Sequence, residues 1–236
     1  MRPEGIRVGD ARALVDKALG AGHEWLEADQ IRDLLGCYGL PMVAQRLAAS
    51  PQQAARDAAE LGFPVAVKLA EAGAHKTERQ GVALGLADEP AVIAAATAMA
   101  GPVVVQQMIG GGVELLAGLI QDPVFGPLVA FGPGGVLAEL IGEAAFRIVP
   151  ITDVDATEMV TGGKAGRLVA GFRGAPPADA HALADLLLRL SALAEDLPEL
   201  AELDMNPVIA RGEGCVIVDC RARVSPRSEV RAPKTW

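Results

Sequence analysis

The spacing of apolar residues changes period several times along this 236-residue chain, and each change predicts an element. Residues 9–20 and 27–38 carry apolar positions at helical spacing and stop at Gly20 and Gly39. A short strand is expected at 42–47. Ser50-Pro51-Gln52-Gln53 opens a third helix, with Ser50 as N-cap, Pro51 in the first turn and Gln53 completing a capping box. Gly62 ends it. The apolar run 64–70 and the segment 81–86 predict two strands, and Asp88 caps a helix that runs to Ala100. Beyond Pro102 strand periods dominate, at 103–108, 113–120, 128–131, 136–141 and 145–149. Glycine-rich turns separate them at 110–112 and 132–135. Two short helices are expected at 153–161 and 163–170. A long one at 177–194 lines up Leu183, Leu186, Leu187, Leu190 and Leu193 as one apolar stripe.

The final two strands, 201–209 and 215–223, carry the sharpest geometry. Gly212-Glu213 suits a two-residue hairpin turn, which pairs Arg211 with Gly214 and fixes the register. Asn206 then faces Asp219, Asp204 faces Arg221, and Glu202 faces Arg223, all on one side of the hairpin. Opposite charges across a strand pair stabilise it, so Asp204 and Glu202 read as scaffold. Asn206 and Asp219 have no cation in this register. Side chains directly opposed lie about 4.5–5.5 Å apart at Cβ, close enough for an amide oxygen and a carboxylate to share one Mg²⁺.

Composition narrows the reading. Half the residues are apolar but only 3% are aromatic, so the core must be built from Ala, Val, Leu and Ile. A net charge of −9 argues against nucleic-acid binding, and any phosphate must be held by a local set of donors. Cys37, Cys215 and Cys220 have neither zinc spacing nor an even count for disulfides. With no signal-peptide pattern and no apolar run long enough for a bilayer, the expectation is a soluble, cytoplasmic protein with no membrane partner.

Two side chains in the first half point to phosphoryl chemistry. Lys68 has the apolar strand neighbours Val65, Val67 and Leu69, and burying an ammonium is costly unless an anion meets it. His75 lies in the small-residue loop that follows, beside Lys76. An imidazole with a pKa near 6.5 offers a neutral nitrogen at pH 7. A loop histidine is more often simply solvated, and a strand lysine can snorkel to water. Glu114, after the Gly110-Gly111-Gly112 turn, has the plain reading of a surface position. Neither glycine turn has Walker A or dinucleotide-fold spacing.

Taken in order, these pieces resemble one family. Pro64-Val-Ala-Val-Lys68, His75-Lys-Thr-Glu78, Val-Gln-Gln-Met108, Gly-Gly-Val-Glu114, Asp122-Pro-Val-Phe-Gly-Pro127, Phe-Gly-Pro-Gly-Gly135, Phe-Arg-Ile-Val-Pro150, Gly171-Phe-Arg-Gly174, Glu-Leu-Asp-Met-Asn-Pro207 and Val-Asp219-Cys-Arg221 look like the ATP-grasp β subunit of the nucleoside-diphosphate-forming acyl-CoA synthetases. The resemblance implies an α+β ATP-grasp fold, with two lobes clamping a nucleotide. The expected division is an N-terminal helical extension at 1–24, a small lobe at 25–102, a large lobe at 103–225 and a tail at 226–236. By resemblance, Lys68 contacts phosphate. The backbone of Gln106, Gln107 and Met108 reads adenine, Glu114 binds ribose, and Asn206 and Asp219 hold Mg²⁺. His75 matches the histidine proposed to carry the phosphoryl group in the β subunit.

The cofactors so implied are ATP or ADP with Mg²⁺. The implied partner is a CoA-binding α subunit or domain that carries a second phosphohistidine, in a hetero-oligomer. The reaction implied is acyl-CoA + ADP + Pi ⇌ carboxylate + CoA + ATP. Two positions depart from the family pattern. Gln80-Gly81 stands where two glycines are frequent, and Gln107 where glutamate is. A stand-alone carboxylate ligase and a catalytically silent nucleotide sensor or assembly subunit remain open alternatives.

Overall fold

The computed structural model describes residues 2–70, 81–135 and 143–226. Two antiparallel sheets organise them. The first contains β1 (Gln45–Ala48), β2 (Val65–Leu69), β3 (Val82–Leu86) and β4 (Val103–Gln107), in the order β1-β4-β2-β3. Helices α3 (Pro51–Leu61) and α4 (Glu89–Met99) cover one of its faces. There Val65, Val67, Val103 and Val105 pack on Ala54, Ala55, Ala58, Val92 and Ala96. The alanines bring helix and sheet close together, which suits a chain poor in aromatics. Ser50 Oγ accepts from Gln53 N at 3.2 Å and starts α3 as expected. Gln53 Oε1 accepts from Ala49 N, one residue ahead of the cap. Gly62, at φ 86°, closes the helix.

The second sheet contains β5 (Val113–Asp122), β6 (Gly126–Pro133), β7 (Ala145–Ile148), β8 (Leu200–Ala210), β9 (Cys215–Ile217) and β10 (Cys220–Val224). Its order is β10-β8-β5-β6-β7, with β9 also paired to β8. Its core is shared with α1 (Val8–Gly20), α2 (Ala28–Cys37), α5 (Asp153–Thr161), α6 (Gly163–Val169) and α7 (Ala180–Asp196). The stripe Leu183, Leu186, Leu187, Leu190 and Leu193 is buried, as its spacing predicts. The strand expected at 136–141 lies outside the described residues.

Two boundaries differ from the sequence reading. β4 hydrogen-bonds to β1 and β2, so the chain leaves the first sheet between Gln107 and Val113 and not at Pro102. Gly101-Pro102 marks a helix-to-strand change, and Val103 and Val105 of β4 belong under α3. Helix α2 likewise packs Ile31, Leu34 and Leu35 into the larger core. Residues 25–40 therefore do not build the small lobe. The segment after α2 stitches the two sheets together: Val43 N donates to Ile217 O at 2.9 Å, and Ile217 N to Pro41 O at 2.7 Å. Among the described residues no helix is long and apolar enough to cross a membrane.

Candidate functional site

Strand β2 lies inside its sheet, between β4 and β3, and presents Ala66 and Lys68 away from α3 and α4. Lys68 is only 9% exposed. The anion its burial calls for is Asp219, whose Oδ1 lies 3.4 Å from Nζ. Asp219 occupies the gap between β9 and β10, so this ion pair joins the two sheets.

The hairpin register matches the expectation. Arg221 pairs with Asp204 and Arg223 with Glu202, Arg211 N donates to Gly214 O at 3.1 Å, and Asn206 N donates to Asp219 O at 3.1 Å. The Glu202–Arg223 ion pair forms at 3.3 Å. Asp204 makes no comparable pair with Arg221 among the described residues. Burial pushes its carboxyl above the usual aspartate range, Arg221 opposes that, and Glu202 and Asp219 add to it. Asp204 is thus a carboxylate under electrostatic pressure, two residues from Asn206.

Asn206 Oδ1 accepts from Gly135 N at 2.8 Å. Gly135 has φ 58°, and a Cβ there would overlap the Glu114 carboxylate. A Cβ at Gly134 would run into the Leu115 backbone. The 132–135 turn therefore needs glycine because it lies directly on β5, bringing Glu114, Gly135 and Asn206 together. The sequence shows a turn here but hides this close approach.

Strand β4, from which the chain passes to the second sheet and which is thus the linker strand, holds a second feature invisible in the sequence. Gln106 is 2% exposed, and its Nε2 donates to Val218 O at 2.6 Å and to Gln45 Oε1 at 3.2 Å. Gln107 is exposed; its N–H goes to Ala44 O, and that of Met108 goes to Pro64 O. Those two amides are engaged within the protein, so a base would meet other groups of this strand. His75 lies outside the described residues. A cavity of about 80 Å³ lies between the sheets, with Trp25, Gln45, Lys68, Val104, Asp219 and Arg221 in its lining.

Among the described residues no three His, Cys, Asp or Glu side chains form a metal-holding group. The donor set still fits Mg²⁺, which typically takes one or two carboxylates and completes its shell with water and substrate phosphates. Asp219 supplies a carboxylate. Asn206 Oδ1 keeps a lone pair after its bond to Gly135.

A buried lysine on a small antiparallel sheet, set against an Asn/Asp hairpin of a larger one, is the architecture of a nucleotide clamp. The sequence profile of the ATP-grasp domain matches residues 17–224. The β subunit of acetate–CoA ligase [ADP-forming] I from Pyrococcus furiosus is 34% identical over 228 residues, covering 91% of this chain and 98% of that subunit. An acetyl-coenzyme A synthetase from Ca. Korarchaeum cryptofilum, solved with coenzyme A and Ca-AMPCP, superposes with a TM-score of 0.85 at 35% identity, covering 91% of this chain and all of the other. A selenomethionine form of that enzyme holds coenzyme A and Mg-AMPPCP, with a phosphohistidine segment pointing towards the nucleotide site. It matches at a TM-score of 0.79 and 34% identity, with the same coverage. The chain belongs to the ATP-grasp family, in the branch formed by the β subunits of the ADP-forming acetate–CoA ligases.

Proposed function

We propose that this chain is the nucleotide-binding subunit of an ADP-forming acid–CoA ligase and moves a phosphoryl group between a phosphohistidine and ADP. One observation carries the site assignment: the buried Lys68 ammonium meets Asp219 at 3.4 Å, on the hairpin that also presents Asn206. Lys68 offsets the charge of the nucleotide phosphates. Asn206 and Asp219 would hold a divalent ion, taken as Mg²⁺, which would supply positive charge against the nucleotide phosphates. Glu114 orients the ribose from β5. The relatives solved with AMPPCP or AMPCP and a divalent metal support this use of the clamp.

Catalysis by such a site is mostly positioning and charge stabilisation. In the direction of ATP synthesis, a β-phosphate oxygen of ADP attacks phosphorus, the P–N bond to the His75 imidazole breaks with its electron pair left on nitrogen, that nitrogen takes up one proton, and neutral His75 and ATP result. His75 is recharged by a partner subunit that binds CoA and carries its own phosphohistidine. The sum is acyl-CoA + ADP + Pi ⇌ carboxylate + CoA + ATP. The relative's designation as a β subunit supports a hetero-oligomer. Three free cysteines suit a reducing compartment, and we place the reaction in the cytoplasm.

The test runs the half-reaction backwards. Incubation with Mg²⁺ and γ-labelled ATP should leave acid-labile, base-stable label on His75, and His75→Ala should bind Mg-ATP yet take no label. Label on another residue, or none at all while the complex with its partner turns over, overturns the relay.

A further inference from the structure

The Val218 carbonyl is left without its ladder partner, and the reason lies in the sequence. Arg211 bonds Gly214, Ile209 pairs with Val216, and Val218 N donates to Pro207 O at 3.0 Å. The 207/218 pair carries one ladder bond, and an N–H at residue 207 is the group that would return a second to Val218 O. Proline has none. A carbonyl shielded from water without a donor is costly, and Gln106 supplies one from the other sheet to the half-buried Val218, at 2.6 Å. Gln106 is itself 2% exposed, and Gln45 Oε1 accepts from the same nitrogen. The amide is therefore locked between β1 and the backbone immediately before Asp219.

We propose that Gln106 is a positioning residue for metal-dependent nucleotide binding: by holding the Val218 carbonyl, it sets the peptide from which the Asp219 carboxylate projects. This inference rests on the reading of Asp219 as a metal ligand. It gives Gln106 a side-chain role distinct from any contact of its backbone with the base. The linker strand and the metal hairpin are thereby one unit. A shift of the Val218–Asp219 peptide moves the carboxylate away from both Asn206 and Lys68.

The experiment is calorimetric titration of the full chain with AMPPCP, in excess Mg²⁺ and in EDTA. The gain in affinity caused by Mg²⁺ is compared between wild type, Gln106→Leu, Gln106→Asn and Asp219→Ala. Loss of support behind a metal ligand weakens metal binding about tenfold. Both Gln106 variants should lose about that much of the Mg²⁺-dependent gain, while affinity in EDTA changes less than twofold. A purely structural brace would lower melting temperature and leave the Mg²⁺-dependent gain intact, which overturns the proposal. Failure of both variants to fold also overturns it, because Gln106 would then serve folding alone. If Asp219→Ala retains the gain, the metal reading itself fails and takes this inference with it. If Asp219→Ala loses the gain and the Gln106 variants keep it, only the inference fails.

Discussion

At the scale of single residues, the candidate site concentrates unfavourable burial. Lys68 relieves its desolvation through Asp219, but Asp204 has no close ion pair among the described residues and its carboxyl is pushed up by burial. A raised aspartate pKa means that the folded state prefers the protonated form. The ionised carboxylate therefore costs stability once pH rises above the unfolded value near 3.8. Asp204→Asn should accordingly raise the melting temperature at pH 7. That gain should shrink steadily towards pH 4, where the wild-type carboxyl takes up its proton in the fold. Melting curves at the two pH values check this, and an equal or larger gain at pH 4 contradicts it. The facing pair Asn206 and Asp219 was legible in the sequence because a two-residue turn fixes every later register position. The partner of Lys68 was not, since 151 positions separate it from Asp219 and no local pattern encodes such a contact. The support that Gln106 gives was hidden for the same reason, although Pro207 in a strand marks the missing donor that makes it necessary.

At the scale of elements, local chemistry did most of the work. The Ser50 cap, the Asp88 cap with Ala91 N at 2.9 Å, and the leucine stripe of α7 follow from residue type and spacing. Ser50→Ala removes one N-terminal acceptor from α3 and should cost about 1 kcal/mol, or roughly 2–4 °C in a chain of this size. Denaturant unfolding measures it, and an unchanged midpoint would show that Gln53 and Ala49 carry the cap alone. The sheet to which β4 belongs was not legible. Three consecutive valines suit a strand of either sheet, and only pairing with β1 and β2 decides. The 132–135 turn was legible as a turn, but its dependence on glycine comes from β5 passing beneath it.

At the scale of the whole molecule, two sheets are bound through a narrow set of contacts. Among the described residues these include the 41–43 segment on β9, the Gln106 amide on Val218, and the Lys68–Asp219 ion pair. The resemblance carried by ten short motifs anticipated the clamp and its family. It misplaced the lobe boundary because residues 25–40 bury their apolar stripe in the larger core. Ligand binding to the folded state adds stability that grows with the logarithm of ligand concentration over Kd, about 2.7 kcal/mol at a hundred times Kd, so Mg-nucleotide is expected to tighten the union of the two sheets. A crystal structure of the chain with Mg-AMPPCP tests the placement of nucleotide and metal most directly. The account predicts phosphates between Lys68 Nζ and the Asn206/Asp219 pair, with the metal on those two side chains and the lysine turned from Asp219 to a phosphate oxygen. A nucleotide bound elsewhere, with the Lys68–Asp219 contact intact and no metal at residues 206 and 219, would contradict it.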